Sequence, residues 1–76
     1  MTQQTRTEIA EQIAREAIVF VRKARQDGNV NKVTAWLLQD CAQVLGYGGE
    51  DYSLRTVQTI VRRNARLMDE TNLIDF

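Results

Sequence analysis

The sequence predicts a small all-α domain built from three helices. Proline is absent, and all four glycines fall in two places, at Gly28 and within residues 46–49. Glycine commonly ends a helix or forms a turn, so these two places divide the chain into three segments. In each segment apolar residues recur at intervals of three and four, which is the spacing of an amphipathic helix. A chain of 76 residues has the size of one domain, so residues 1–76 are assigned to a single helical unit.

The first helix is predicted over about residues 7–26. Thr5 and Glu8 have the spacing of a capping box at its start, and Thr7 is an equally good N-cap. Acidic side chains come early in this segment and basic side chains come late, as the helix dipole favours. Gly28 is placed to adopt the left-handed conformation that closes a helix.

The stretch AIVFV, residues 17–21, makes the first helix apolar almost all round. A chain this small has little material with which to cover both sides of such a helix. With one cysteine and no histidine, an internal disulfide is excluded and a structural zinc site is not expected. The sequence therefore predicts a homodimer. Its interface is expected to contain Ile18, Val19, Phe20 and Val21.

The second helix is predicted over about residues 31–45, with Asn29 or Asn31 as its N-cap and Gly46 as its stop. Trp36 and Leu38 are expected to lie beside its inner face. That inner face is expected to comprise Val33, Leu37, Cys41, Val44 and Leu45.

The third helix is predicted over about residues 53–68, with Ser53 as its N-cap. At about 100° per residue, one side of this helix is apolar and the other is cationic. The apolar side comprises Leu54, Val57, Ile60, Val61, Ala65, Leu67 and Met68. The opposite side carries Arg55, Thr59, Arg62 and Arg66, with Arg63 at its edge. The tail, residues 69–76, is expected either to pack back on the core or to form a short C-terminal strand.

The composition offers no support for catalysis. Without histidine the chain lacks the commonest general base. Cys41 falls among apolar residues and is predicted to be a small buried hydrophobe rather than a nucleophile. GYGGED, which begins at Gly46, lacks the lysine that a phosphate-binding loop requires. We therefore expect no enzyme activity, no catalytic residues, no metal site and no cofactor.

The sequence also predicts a cytoplasmic protein with no membrane partner. Its first twelve residues are polar and contain no apolar signal-peptide core. The longest apolar run, residues 17–21, is far shorter than a membrane span. A single free thiol is typical of a reducing compartment.

The arginines of the third helix are the strongest functional signal. Residues 53–68 contain four arginines and no acid, whereas a solvated helix usually mixes the signs of its charges. Arginines in a row can contact DNA phosphates or guanine edges. The predicted DNA-binding residues are Arg55, Thr56, Gln58, Thr59, Arg62, Arg63 and Arg66. Ten basic and ten acidic residues sum to a net charge of zero, which supplies no overall attraction to nucleic acid.

Residues 33–76 resemble a helix-turn-helix unit of the winged-helix kind. The resemblance rests on the second segment, a glycine-containing turn and the sequence SLRTVQTIVRRNARL, in which Ser53, Thr56, Val57 and Val61 have the spacing of such units. The sequence NLIDF is similar to the strand that often follows. The resemblance implies a regulator of transcription whose third helix enters the major groove of double-stranded DNA. Val57 and Val61 would then anchor that helix to the core.

A non-enzymatic protein-interaction module is the alternative function. Such a module would be a small adaptor, or an inhibitor that binds a larger protein complex. The neutral net charge, the apolar run at residues 17–21 and an exposed Trp36 or Tyr47 favour it. Aromatic residues and arginine are the most frequent hot spots of protein interfaces. In this interpretation the arginine row meets an acidic protein surface.

Overall fold

The computed structural model describes residues 5–47 and 52–76. Three helices account for most of this part: α1 is Arg6–Gln26, α2 is Ala35–Val44 and α3 is Leu54–Leu67. A short 3-10 turn, Thr71–Leu73, follows α3. The predicted all-α domain of three helices is confirmed. Within the described residues, no helix combines the length and apolarity that crossing a membrane requires.

Helix α1 begins with the capping box that the sequence predicted. The Thr5 hydroxyl oxygen accepts a hydrogen bond from the Glu8 main-chain N–H at 3.1 Å. The Glu8 carboxylate in turn accepts from the Thr5 main-chain N–H at 3.3 Å, so Thr5 rather than Thr7 is the N-cap. At the other end Gly28 has φ +78°. This left-handed conformation ends the helix, and glycine adopts it readily because it has no Cβ.

Helix α2 begins later than the sequence predicted. Its N-cap is Thr34, whose hydroxyl accepts from the Leu37 main-chain N–H at 3.2 Å, and neither Asn29 nor Asn31 caps it. The preceding residue, Val33, forms an isolated parallel β-bridge with Ile74. Because its main-chain groups bond to the tail instead of to a helical turn, Val33 cannot belong to α2.

The tail contributes one bridge residue rather than a strand. The Val33 N–H donates to the Leu73 carbonyl, and the Asp75 N–H donates to the Val33 carbonyl at 3.0 Å. Leu73 is 1% exposed and anchors this segment in the core. The two alternatives for residues 69–76 are thus resolved largely in favour of packing back on the core.

The core lies where the three helices and the tail meet. Its apolar members are Ala10, Ile13, Ala14, Ala17, Ile18, Val21, Val33, Leu38, Ala42, Val57, Ile60, Val61, Ala65 and Leu73. Helix α1 packs more extensively on α3 than on α2. Both α1 and α3 contribute alanines to the core, Ala10, Ala14 and Ala17 from α1 and Ala65 from α3.

The inner face of α2 differs from the predicted one. Leu38 and Ala42 are fully buried, whereas Val44 is 86% exposed. Leu37 and Cys41 are only partly buried at the edge of the core. Ala42 is a weak signal in an apolar pattern, yet its small side chain lets α2 contact the core. The face centred on Leu38 and Ala42 therefore replaces the one predicted from the larger side chains.

The predicted dimer interface is also corrected in part. Ile18 and Val21 are 0% exposed and belong to the chain's own core, so they have no surface with which to contact a second chain. Val19 and Phe20 remain 40% and 50% exposed on the other side of α1. Leu67, predicted on the apolar side of α3, is 78% exposed.

Candidate functional site

The exposed side of α3 carries the predicted row of basic residues. Arg55, Thr59, Arg62 and Arg66 are all exposed, at spacings of four, three and four residues. At a rise of about 1.5 Å per residue, Arg55 and Arg62 are about 10 Å apart along the axis. Arg62 and Arg66 are about 6 Å apart by the same rise. The buried residues of α3 occupy the opposite side of the helix. We call these four residues, together with the exposed Thr56, the arginine face.

Arg62 is held by the end of the tail. Its Nε donates to the main-chain carbonyl of Phe76 at 3.4 Å. Its guanidinium carbon also lies 5.3 Å from the centroid of the Phe76 ring, which is cation–π geometry. The Phe76 ring therefore covers one face of the Arg62 guanidinium.

Arg63 is paired with an acid of α1. Its guanidinium forms a salt bridge with the Glu11 carboxylate, and the Arg63 side chain remains 57% exposed. The pair removes Arg63 from the set of uncompensated charges. Of the arginines predicted to bind DNA, Arg63 is the one that forms a salt bridge with a described side-chain carboxylate.

Arg55 and Arg66 form no ion pair with any carboxylate in the described part of the chain. The Arg55 carbonyl accepts from the Thr59 hydroxyl at 3.1 Å, which uses the hydroxyl proton and leaves its oxygen lone pairs accessible. Thr56 is exposed near the start of α3, and Gln58 is half-buried. The arginine face thus combines short hydroxyl side chains with two guanidinium groups that have no carboxylate partner among the described residues.

Beneath this face lies a polar contact that the sequence did not predict. Asn64 is 8% exposed, and its Nδ2 donates to the Glu11 carboxylate at 2.9 Å and to the Ile60 carbonyl at 2.9 Å. The hydrogen bond from Asn64 is the main cause that holds the pKa of Glu11 below its ordinary value, and Arg63 acts in the same direction against the opposing effect of burial. The signal for this contact was a polar residue on the apolar side of a helical wheel.

A second exposed surface lies between α1 and α2. It is a groove of about 370 Å³. Its apolar lining comes from Val19 and Phe20 of α1 and from Leu37, Cys41, Val44 and Leu45 of α2. Glu16, Lys23 and Asp40 form its charged rim. We call these nine residues the apolar groove.

Cys41 lies half-buried in the apolar groove. Burial raises the pKa of its thiol, and the nearby carboxylates of Glu16 and Asp40 raise it further. A raised pKa keeps the thiol protonated near neutral pH, and the thiolate is the reactive form. The environment therefore disfavours a nucleophilic role.

The two aromatic residues predicted as protein contacts, Trp36 and Tyr47, belong to neither the arginine face nor the apolar groove. Trp36 is 79% exposed on α2. Tyr47 instead packs partly against the core. Within residues 5–47 and 52–76, no group of three or more potential metal-ligating side chains comes together. Comparison of the chain with protein-family models, with curated proteins and with solved structures gives no match.

Proposed function

We propose that this protein binds double-stranded DNA through the arginine face of α3 and acts as a small regulator of transcription. The observation that carries the proposal is a helix free of acids whose Arg55 and Arg66 are exposed without a described carboxylate partner. Its opposite side is fixed in the core by Val57 and Val61, both 0% exposed. A rigidly held cationic helix is the usual element that enters a major groove.

In this proposal the position of each residue along α3 determines which part of the DNA it contacts. Thr56, Gln58 and Thr59 lie in the first turns of α3, where groove-reading residues commonly sit, and would contact base edges. Arg62 and Arg66, near the other end, would contact phosphates. Phosphate contacts fix the orientation of a protein on the duplex and base contacts supply sequence preference.

The arginines are not equivalent in this proposal. Arg55 and Arg66 can approach a phosphate without giving up an ion pair to a described residue, whereas Arg63 must leave Glu11 or bind while still paired. Arg62 would contact DNA through the part of its guanidinium that Phe76 does not cover. We therefore assign the largest electrostatic contributions to Arg55 and Arg66. Lys32 and Arg25, both exposed, would add phosphate contacts.

The decisive experiment is a titration of fluorescently labelled duplex DNA at several salt concentrations, read by fluorescence anisotropy. Each phosphate contact contributes about 0.9 to the slope of log affinity against log salt. We expect Arg55→Ala and Arg66→Ala each to lower that slope by about 0.9. Arg15→Ala is the charge-matched control, since Arg15 is exposed on α1. The proposal is wrong if low salt gives no binding, or if all three variants have the wild-type slope.

A protein-interaction module is the second candidate function. The apolar groove supports it, because a cluster of exposed apolar side chains is typical of contact surfaces. Trp36, 79% exposed and outside the groove, is a separate candidate contact residue. This alternative predicts that the anisotropy of labelled duplex stays unchanged at low salt. It also predicts that the arginine face meets an acidic protein surface. The same titration therefore discriminates between the two functions.

A further inference from the structure

The apolar groove is an unpartnered surface made of two helices. Val44 is 86% exposed, and Phe20 is 50% exposed beside it. Together with the half-buried side chains of Leu37 and Cys41, they form a continuous apolar surface with a depression of about 370 Å³. Single exposed aliphatic residues are ordinary, but a lined groove is typical of a contact surface.

The rim of the groove carries charges of both signs. Glu16, Lys23 and Asp40 are exposed, and none of them forms an ion pair with another described residue. In a two-fold dimer the same patch faces itself, so the patch must be complementary to itself. A rim with one lysine and two carboxylates satisfies this requirement, because Lys23 of one copy can meet a carboxylate of the other. A partner of uniformly acidic or basic surface would be opposed by one part of this rim.

The size of the chain is consistent with such a partner. A chain of this length has a small core, and association adds apolar burial that one copy cannot supply.

We propose that the apolar groove is the interface of a two-fold homodimer. The partner is a second copy of this chain, with Phe20 and Val44 of each copy packed against the groove of the other. Lys23 of each copy pairs with Asp40 of the other across the interface. The inference is independent of DNA binding, since the groove lies on α1 and α2 and the arginine face lies on α3.

The test compares two aliphatic residues with similar solvent exposure. Val44 lies in the groove at 86% exposure, and Leu67 lies on α3, outside the groove, at 78% exposure. Molar mass is measured by sedimentation equilibrium over about 1 to 200 µM, because dimer formation follows mass action. We expect Val44→Asp to raise the dimer dissociation constant about 30-fold or more, by placing a carboxylate in an apolar contact. Leu67→Asp should leave it unchanged.

A charge-reversal pair tests the rim without altering the apolar contact. Lys23→Glu and Asp40→Lys should each weaken the dimer about threefold to tenfold, and the double variant should recover most of the loss. Circular dichroism of each variant verifies that its helical content is unchanged. A monomeric wild type at every concentration overturns the proposal. Equal effects of Val44→Asp and Leu67→Asp, or a double variant no better than the single ones, also overturn it.

Discussion

The contact between Glu11 and Asn64 provides the sharpest test of how α1 and α3 are held together. Asn64 is 8% exposed, and its amide donates to the Glu11 carboxylate and to the Ile60 carbonyl, each at 2.9 Å. Arg63 contacts the same carboxylate from the solvent side, with a side chain 57% exposed. The perturbation is a pair of double-mutant cycles to alanine, one for Glu11 with Asn64 and one for Glu11 with Arg63.

The expected magnitudes follow from exposure. A hydrogen bond to a charged acceptor contributes about 1.5 to 3 kcal/mol, and the partial exposure of Glu11 favours the lower end. A half-exposed ion pair contributes about 0.5 kcal/mol. We therefore expect Glu11→Ala to lower the free energy of unfolding by about 2 kcal/mol. A domain of this length is stable by about 4 to 11 kcal/mol, so the loss is a large fraction of the total.

The assay is urea denaturation followed by far-ultraviolet circular dichroism. The coupling energy of Glu11 with Asn64 should exceed that of Glu11 with Arg63 by about 1 kcal/mol. A cycle also cancels the helix propensities of the substituted residues. An Arg63 coupling equal to or larger than the Asn64 coupling would refute the reasoning, because the exposed charge pair would then dominate the buried amide.

The pH dependence of the same contact has a definite sign. Hydrogen bonding by Asn64 holds the pKa of Glu11 below its ordinary value in the folded state. A lowered folded-state pKa gives stability that is complete above the unfolded-state pKa, about 4.3, and is lost as pH falls through the folded-state value. The stability advantage of the wild type over Glu11→Gln should therefore shrink below about pH 4.3. An advantage that grows in acid would contradict this sign.

Further outcomes concern the core, a turn and the thiol. Leu38→Ala should cost about 2 to 5 kcal/mol in urea denaturation, whereas Val44→Ala should change stability by less than about 0.5 kcal/mol, because Leu38 is 0% and Val44 is 86% exposed. Gly28→Ala should cost about 1 kcal/mol in thermal denaturation, since φ is +78° and no neighbouring atom lies within 4 Å of the added carbon. Iodoacetamide should alkylate Cys41 of the folded protein more slowly than free cysteine at pH 8, because burial raises the pKa of its thiol. In urea, which unfolds the chain, Cys41 should react at the rate of free cysteine.

Local pattern was sufficient for α1 and α3 but not for α2. The capping box at Thr5 and the left-handed Gly28 are local features, and the structure contains both. The start of α2 depends instead on Val33, whose main-chain groups bond to residues about forty positions later in the chain. No periodicity within the second segment contains that information. The pairing of distant main-chain groups overrode a helical pattern that was locally acceptable.

The apolar pattern also failed to separate the core from the exposed surface on α1. Ile18, Val19, Phe20 and Val21 are all large and apolar, so the sequence grouped them into one predicted interface. Successive helical residues point about 100° apart, and the packing of α3 and α2 decides which of them is enclosed. Ile18 and Val21 became core, while Val19 and Phe20 stayed on the surface. The apolar surface that α1 leaves exposed therefore lies on the side that also borders α2.

The arginine row illustrates the same division between composition and arrangement. The sequence establishes that α3 contains basic residues without acids, but the state of each guanidinium depends on what the rest of the chain brings to it. Glu11 reaches Arg63 from α1, and Phe76 reaches Arg62 from the tail. Arg55 and Arg66 receive no carboxylate from the described residues, although the chain as a whole is neutral. A zero net charge is therefore compatible with a locally cationic helix. At contact range, attraction to a polyanion depends on the uncompensated charges that face it and not on the sum of charges over the chain.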